Sequence, residues 1–253
     1  MAIQFHGKPG IVAYLTAGDP DLATTRDIAL AAIDNGADVI ELGVPFSDPL
    51  ADGPVIQRAS ERAVARGVRL TDVLELAKEI RTARPDAGLV IFSYLNPVVR
   101  MGMEKFCAAA AEAGADGVLL TDMIVEEAGE YLESMRAHHL APIFLAAPTS
   151  TDVRLKAIGE SSQGFVYAIS RVGITGTQDQ IAGDATELVT RLKQFTKLPI
   201  AVGFGISNAE HVRAVGEFAD AAIIGSAIVS LIERTAPEEA AAAVGTFIAG
   251  LRA

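Results

Sequence analysis

The sequence predicts an α/β fold and, within that class, a single-domain (β/α)8 TIM barrel formed by residues 1–253. Short apolar runs alternate with Ala-rich segments of helical spacing, eight such pairs can be counted, and most of the runs are almost continuously hydrophobic. Continuous hydrophobicity is expected of parallel strands covered on both faces, and eight strand–helix units close this barrel. A doubly wound open sheet has the same alternation but usually stops at about six strands, so we favour the barrel.

The predicted strands are spread over the whole chain. The longest step between two strand starts follows the second strand, and the next longest follows the sixth and contains the Gly-rich polar stretch RVGITGTQDQIAGD, which is typical of a lid. Because the loops after the strands build the active site of such a barrel, we expect chemistry at these two loops. The strands are expected to begin near Ile11, Asp38, Gly88, Gly117, Ala141, Gly164, Pro199 and Asp220.

The composition argues against several classes of protein. A net charge of −11 disfavours a nucleic-acid partner, since such proteins normally carry a basic stripe. The single cysteine, Cys107, leaves no disulfide framework and no cysteine cluster for zinc. The sequence contains no apolar run typical of a signal peptide or a membrane span. We therefore expect a cytoplasmic protein with no membrane partner.

The second strand carries a carboxylate, Glu41, inside an apolar run. Strand alternation places Val39, Glu41 and Gly43 on one side and Ile40 and Leu42 on the other. The apolar Ile40 and Leu42 suit the layer that faces the helices. Glu41 is then expected in the barrel interior near the carboxyl end of its strand, where catalytic residues of this fold lie. A structural carboxylate bound by backbone N–H groups is the alternative. Glu41 is the first candidate catalytic residue.

Asp52 and Tyr167 are weaker candidates for the same site. Asp52 lies in the segment SDPLADGP, where an aspartate before glycine also forms ordinary turns, as does Asp48 before proline. Only the proximity of Asp52 to Glu41 in the sequence favours a catalytic role. Tyr167 shares its side of the sixth strand with Phe165 and Ile169, so it is expected in the interior, either in the core or in the site.

Two glycine-containing segments predict a phosphate site. GFGIS follows the seventh strand and IGSA follows the eighth, and each ends a strand and opens a helix. Backbone N–H groups at such glycines and helix N-termini bind anions, and the loops after strands seven and eight are the usual phosphate site of this fold. Ordinary helix caps are the alternative. The candidate residues are Gly205, Gly225 and Ser226, with Thr175 and Gly176 closing a third side.

Other chemistry is disfavoured by what the strands lack. The lysines fall outside the predicted strands, which argues against a Schiff-base mechanism. The histidines lie in a terminal segment and in predicted helices, so no ligand set for a catalytic metal is expected. The residues therefore indicate a phosphate-binding barrel that performs carboxylate acid/base chemistry without a metal or a covalent cofactor.

The sequence closely resembles the tryptophan synthase alpha chain family. IELGVPFSDPLADGP resembles the family signature, and the likeness continues through YLTAGDP, SYLNP, AISRVGITG, GFGIS and GSAIV in the family's order. The resemblance implies a lyase that cleaves indole-3-glycerol phosphate to indole and glyceraldehyde 3-phosphate. It also implies no cofactor on this chain, a beta-chain partner that carries pyridoxal phosphate, and an alpha2-beta2 heterotetramer.

The resemblance also assigns roles to individual residues. Glu41 is expected to transfer protons, Asp52 to bind the indole N–H, and Tyr167 to line the catalytic site. Gly176, Gly205, Gly225 and Ser226 fall on phosphate-binding positions. The expected indole pocket is formed by Tyr14, Phe92, Leu119, Leu145 and Phe204, and the loops expected to meet the beta chain carry Phe46, Asp48 and Asn96.

The sequence departs from the family at two places. Only the segment MAIQFHGKPG precedes the first strand, so the N-terminal helix that caps the barrel floor is expected to be shortened. Ile124 stands where the family commonly has proline, so contact with the beta chain there is expected to differ. Three alternatives remain: another phospho-sugar enzyme of this fold, a free-standing indole-releasing lyase, and a non-catalytic partner that activates the beta chain.

Overall fold

The computed structural model describes residues 3–169, 178–203 and 205–252. Within these residues nine strand segments pair in parallel in the order β5-β4-β3-β2-β1-β9-β8-β7-β6. The segments are β1 (Gly10–Thr16), β2 (Val39–Gly43), β3 (Gly88–Ser93), β4 (Gly117–Leu120), β5 (Ala141–Ile143), β6 (Leu145–Ala146), β7 (Val166–Ile169), β8 (Ile200–Gly203) and β9 (Ala221–Ile224).

The segments β5 and β6 together occupy the fifth strand position of the barrel. Ile143 and Leu145 face the interior, whereas Phe144 between them packs in the outer layer, so the side-chain alternation continues across the break. The backbone N–H of Tyr167 donates to the carbonyl of Phe144 at 3.1 Å, which joins this position to β7. The prediction of eight parallel strand positions in a TIM barrel is therefore confirmed.

The helices cover the outside of the ring. Several begin where a side chain caps the first turn, as Asp21 does for Thr24 at 2.8 Å, or where a proline starts the helix. The extra length after β2 contains two helices, α2 and α3. The helices are α1 (Leu22–Asp34), α2 (Pro54–Ala65), α3 (Leu70–Ala83), α4 (Leu95–Met101), α5 (Met103–Glu112), α6 (Gly129–Ala137), α7 (Asp152–Ser161), α8 (Gln178–Leu192), α9 (Ala209–Gly216), α10 (Ser226–Glu233) and α11 (Pro237–Leu251), with a 3-10 turn at Val125–Glu127.

The strands bury two apolar layers. Ile40 and Leu42 pack with the helices in the outer layer, whereas Val39 joins the cluster inside the barrel, so the predicted alternation of β2 is confirmed. Phe165 is fully buried in the inner cluster, and its truncation to alanine would cost about 3–5 kcal/mol. None of the described helices has the length and apolar character needed to cross a membrane.

The described residues before β1 form no helix, and side chains of this segment close the floor of the barrel. Ile3 is buried in the inner cluster, and Phe5 packs edge-on against Phe165 with ring centroids 5.9 Å apart. These two side chains occupy the floor where the sequence led us to expect a short cap helix. Arg252, after α11, holds the segment in place by donating to the carbonyl of Pro9 at 3.0 Å.

Three aspartates tie the strands together at the same floor. Asp38, Asp116 and Asp220 each directly precede or begin a strand region, and each follows an alanine in the sequence. Each carboxylate accepts a hydrogen bond from the first residues of the neighbouring strand, so a buried charge at the floor has a partner. The donors are the backbone N–H groups of Ile11 at 2.7 Å, Leu89 at 2.9 Å and Ile200 at 2.9 Å.

Candidate active site

A cavity of about 500 Å³ opens at the carboxyl ends of the strands. Its walls come from residues within or shortly after β1, β2, β3, β4, β6, β7, β8 and β9, so nearly the whole ring contributes to it. The sequence-predicted residues that line it are Tyr14, Asp52, Phe92, Leu145, Tyr167, Gly205, Gly225 and Ser226, and they are joined by Ile56, Thr121, Ile206 and Ser207. The predicted Thr175, Gly176 and Phe204 lie outside the described residues.

A larger groove of about 650 Å³ lies at the opposite end, near the floor. Its two guanidinium groups are already bound: Arg84 pairs with Asp34 at 2.6 Å, and Arg252 pairs with Asp38. Both arginines of the groove are therefore already paired, and the candidate catalytic side chains are gathered at the other end of the barrel.

Glu41 lies inside the barrel, between Tyr14 of β1 and Val90 of β3 in the strand register. Its side chain is fully buried, and neither carboxylate oxygen has a hydrogen-bond partner among the described residues. Loss of water raises the pKa of this carboxyl to about 8, because burial disfavours the charged form. Glu41 is therefore mostly protonated at neutral pH. The alternative of a structural carboxylate bound by backbone N–H groups does not fit this environment.

Two tyrosines of the cavity wall are close enough to Glu41 to be affected by its charge. Tyr14 and Tyr167 line the cavity, whereas Glu41 is not among its lining residues. Burial, followed by the charges of Glu41 and Asp52, raises the pKa of the Tyr167 hydroxyl well above its usual range, so this hydroxyl stays protonated. A Cβ atom added to Gly203 would lie 2.7 Å from the Tyr167 hydroxyl, so only glycine leaves room for this ring on the neighbouring strand.

Asp52 lies on the cavity wall in the loop between β2 and α2. Its Oδ2 accepts a hydrogen bond from the Tyr94 hydroxyl at 3.0 Å, and that hydroxyl accepts one from the backbone N–H of Ala51 at 2.9 Å. Burial raises the pKa of Asp52 to about 6, and the Tyr94 hydrogen bond opposes this rise. Asp52 is therefore largely ionised at neutral pH, in contrast to Glu41.

Sequence reasoning missed Tyr94. It directly follows β3, and its ring packs against Phe46 with centroids 5.1 Å apart, so it joins the third strand to the loop that carries Asp52. Burial, followed by the charge of Asp52, raises the pKa of the Tyr94 hydroxyl, which keeps it a donor. Its position after a strand in the segment SYLNP was the available signal, since strand ends of this barrel carry site residues.

The far side of the cavity has the features of an anion site. Helix α10 begins at Ser226 with Gly225 as its N-cap, so its first N–H groups have no side-chain cap within the described residues. The N-terminus of α9, by contrast, is already capped by Asn208, which accepts from the His211 N–H at 2.9 Å. An uncapped helix N-terminus beside a glycine binds phosphate readily.

The apolar part of the cavity lies between these two ends. Tyr14 and Phe92 pack edge to face with centroids 5.1 Å apart, and Leu145 lies on the opposite wall. Leu119, also expected in the pocket, is fully buried in the inner core and does not line the cavity. Within the described part of the chain, no group of three or more His, Cys, Asp and Glu side chains could hold a metal ion.

The residues expected to meet a partner follow β2, β3 and β4, at the end of the barrel where the cavity opens. Asp48 and Asn96 are exposed, Phe46 is partly buried, and Ile124 has 44% of its surface exposed. Leu50 is 92% exposed beside them. This face therefore presents apolar side chains to solvent next to the candidate active site.

Known proteins resemble this chain along its whole length. The family model for the tryptophan synthase alpha chain matches residues 2–250. A tryptophan synthase alpha chain from Burkholderia lata is 50% identical over 252 residues, covering 100% of this chain and 93% of the relative.

Solved structures agree with the sequence relatives. The tryptophan synthase complex from Pyrococcus furiosus superposes with a TM-score of 0.88 at 36% identity, covering 97% of this chain and 98% of that chain. The tryptophan synthase subunit alpha from Legionella pneumophila superposes with a TM-score of 0.87 at 35% identity, covering 96% of this chain and 91% of that chain.

Proposed function

This chain belongs to the tryptophan synthase alpha chain family, and from that membership we propose how its own residues carry the reaction. The chain is a lyase of tryptophan biosynthesis that cleaves indole-3-glycerol phosphate to indole and glyceraldehyde 3-phosphate. The observation that carries our assignment is the fully buried Glu41 carboxyl, which has no hydrogen-bond partner in the described residues and is in strand register with Tyr14 of the cavity wall.

Glu41 is the proton donor. Cleavage needs a proton on indole C3, which turns the ring into an acceptor for the electron pair of the breaking carbon–carbon bond. The hydroxyl on the adjacent side-chain carbon then loses its proton as the aldehyde forms. A carboxyl with a pKa of about 8 carries the first proton at neutral pH, and once ionised it can accept the second.

Asp52 stabilises the other end of the indole ring. Protonation at C3 places positive charge on the ring nitrogen, and a carboxylate with a pKa of about 6 is ionised at neutral pH and can accept the N–H hydrogen bond. Tyr94 orients this carboxylate through its hydroxyl. Tyr167 lines the wall between the two acids and the anion site.

The phosphate binds at the N-terminus of α10. Gly225 and Ser226 supply backbone N–H groups there, and Gly205 lies on the same wall. Thr175 and Gly176 complete the site in this proposal. Tyr14, Phe92 and Leu145 hold the indole ring, with Leu119 supporting them from below and Phe204 completing the pocket.

The partner of this chain is the tryptophan synthase beta chain. We place its contact at the exposed loops that carry Phe46, Asp48 and Asn96, and we expect an alpha2-beta2 heterotetramer. The chain itself uses no cofactor in this proposal, and pyridoxal phosphate belongs to the beta chain. Residues 1–253 form one domain, and the enzyme acts in the cytoplasm.

Replacing Glu41 tests the assignment most directly. Glu41→Gln should lower the rate of indole release by about 10²–10⁴-fold, because the amide cannot donate the proton to C3. Binding of glycerol 3-phosphate should be unchanged, which shows that the site is still folded. Indole is measured with the purified chain alone and with a beta chain. Retention of most of the rate would remove Glu41 from the mechanism.

A further inference from the structure

We propose that Arg58 and Arg62 of α2, together with Glu233 of α10, are positioning residues that fix the spacing between the indole end and the phosphate end of the cavity. The inference rests on the proposed function, because it takes Asp52 and Ser226 as the two ends. None of these three side chains lines the cavity, so each acts through the helix that carries it.

Arg62 joins two carboxylates that come from different parts of the fold. Its Nε and Nη2 atoms donate to the two oxygens of Asp19 at 2.8 and 2.7 Å, and its Nη1 donates to Glu233 at 2.8 Å. Asp19 lies in the loop after β1, and its side chain is only 4% exposed. Arg62 therefore ties α2 both to the barrel and to α10.

Arg58 adds a second connection between the same two helices. Its Nε and Nη2 atoms donate to the two oxygens of Glu233 at 2.9 and 2.7 Å. Two parallel hydrogen bonds between guanidinium and carboxylate fix direction as well as distance. Hydrogen bonds from Arg58, with a smaller contribution from Arg62, hold the pKa of Glu233 near 2, so the network stays ionised at any pH used for assay.

Each of the two helices carries one end of the cavity. Helix α2 begins at Pro54, two residues after Asp52, and Gln57 in its first turns donates to the Asp52 carbonyl at 2.8 Å. Helix α10 begins at Ser226 at the anion site and ends at Glu233. A shift of either helix along its axis would therefore change the separation of the two ends.

The apolar contacts between the helices leave such a shift possible. Ala59 of α2, Val229 of α10 and Tyr14 of β1 form a small cluster of their own, separate from the two main core layers. Apolar side chains pack without directional bonds, so they resist separation better than sliding. The ion network, which joins Arg58 and Arg62 within α2 to Glu233 at the end of α10, supplies the missing direction.

A substrate that contacts both ends at once is sensitive to this spacing, whereas a ligand that contacts only one end is not. The network should therefore be revealed by comparing two probes. One is a non-cleavable indole joined to phosphate by a propyl chain, and the other is glycerol 3-phosphate, which occupies the phosphate end alone.

The test is Glu233→Gln in the full-length chain, with both dissociation constants measured by calorimetry. We expect the indole-propyl phosphate to bind on the order of tenfold more weakly, since small misplacements of binding groups are costly, while glycerol 3-phosphate keeps its affinity. Arg58→Gln should weaken the same probe to a smaller extent, because Arg62 still donates to Glu233, and the double variant should be no worse than Glu233→Gln alone.

Asp34→Asn is the matched control. It removes another pairing of an arginine with both oxygens of a carboxylate, with Arg84 at the floor, and should leave both affinities unchanged. Equal weakening of both probes by Glu233→Gln, or no weakening of either, would overturn the positioning role. Failure of the unmutated chain to bind the indole-propyl phosphate would instead overturn the proposed function, and the positioning role with it.

Discussion

The acids of the barrel floor and the two candidate catalytic acids at its mouth, where the cavity opens, have opposite surroundings. At the floor, Asp38 and Asp116 accept hydrogen bonds from backbone N–H groups and from arginines at short distances. At the mouth, Glu41 has no partner among the described residues, and Asp52 has a tyrosine hydroxyl. A buried charge is stable only when it is paired or neutralised, so the floor acids hold strands together while Glu41 stays protonated.

The acids that stabilise the fold and the candidate catalytic acids therefore lie at opposite ends of the barrel. The floor acids supply fixed negative charge that connects neighbouring strands, and their removal leaves buried donors without acceptors. Glu41 instead lowers stability when it ionises, because its burial has no compensation. A side-chain carboxyl thus connects strands at one end and, in our proposal, stores a proton at the other, and its surroundings decide which.

The largest expected effect is the loss of a floor acid. Asp38→Asn should lower the free energy of unfolding by about 2–4 kcal/mol, because the backbone N–H of Ile11 and the guanidinium of Arg252 lose a charged acceptor. The rate of indole release by the folded fraction should not change. Urea unfolding and single-temperature rates check both expectations, and a rate loss larger than the folded fraction explains would break the separation of the two ends.

Substitution of Glu41 should raise the stability of the chain, whereas substitution of Asp38 should lower it. The pKa of Glu41 is raised to about 8 by burial, so the folded state keeps a proton that the unfolded state loses at about pH 4.5. Between these two values the unfolded state binds fewer protons, and the stability of the unmutated chain falls as the pH rises. The substitution Glu41→Gln removes this pH-dependent loss of stability.

The variant should therefore gain stability relative to the unmutated chain by on the order of 3 kcal/mol between pH 5 and pH 8. Thermal unfolding of both proteins across this pH range measures the difference. The cost of burying the amide introduced by Glu41→Gln does not depend on pH, so it does not affect the comparison of how stability changes with pH in the two proteins. A difference that does not grow with pH would mean that Glu41 is not held protonated in the folded chain.

The sequence predicts the mouth of the barrel better than the floor. The alternation of apolar residues is a local property, so the strand positions, the inward side of β2 and the place of Glu41 could all be read from it. The floor acids precede three strands in similar Ala-Asp pairs, yet their partners lie 27, 27 and 20 residues away, and a pattern in one strand does not identify them.

Partners distant in the sequence also explain what was missed at the mouth. Tyr94 is 42 residues from Asp52, and Arg58 is 175 residues from Glu233. The pairing of β2 with β3 brings the loop after β2 beside Tyr94, and the pairing of β1 with both β2 and β9 brings α2 beside α10. The sequence also does not predict that Ile3 and Phe5 replace the expected cap helix, because two apolar residues in a short segment form no periodic pattern.

The smallest expected effect sharpens the contrast between the two mouth acids. With Asp52 ionising near pH 6 and Glu41 near pH 8, kcat/KM should rise through the first value and fall through the second. The Tyr94 hydroxyl lowers the pKa of Asp52, so Tyr94→Phe should move the acid limb upward by about one pH unit and leave the alkaline limb in place.

Tyr131→Phe is the matched control, because that buried hydroxyl donates to the carbonyl of Val118 away from both acids. It should reduce stability without moving either limb. An acid limb unchanged by Tyr94→Phe would assign that limb to a group other than Asp52, and a shifted alkaline limb would mean that the two carboxyls titrate as a coupled pair.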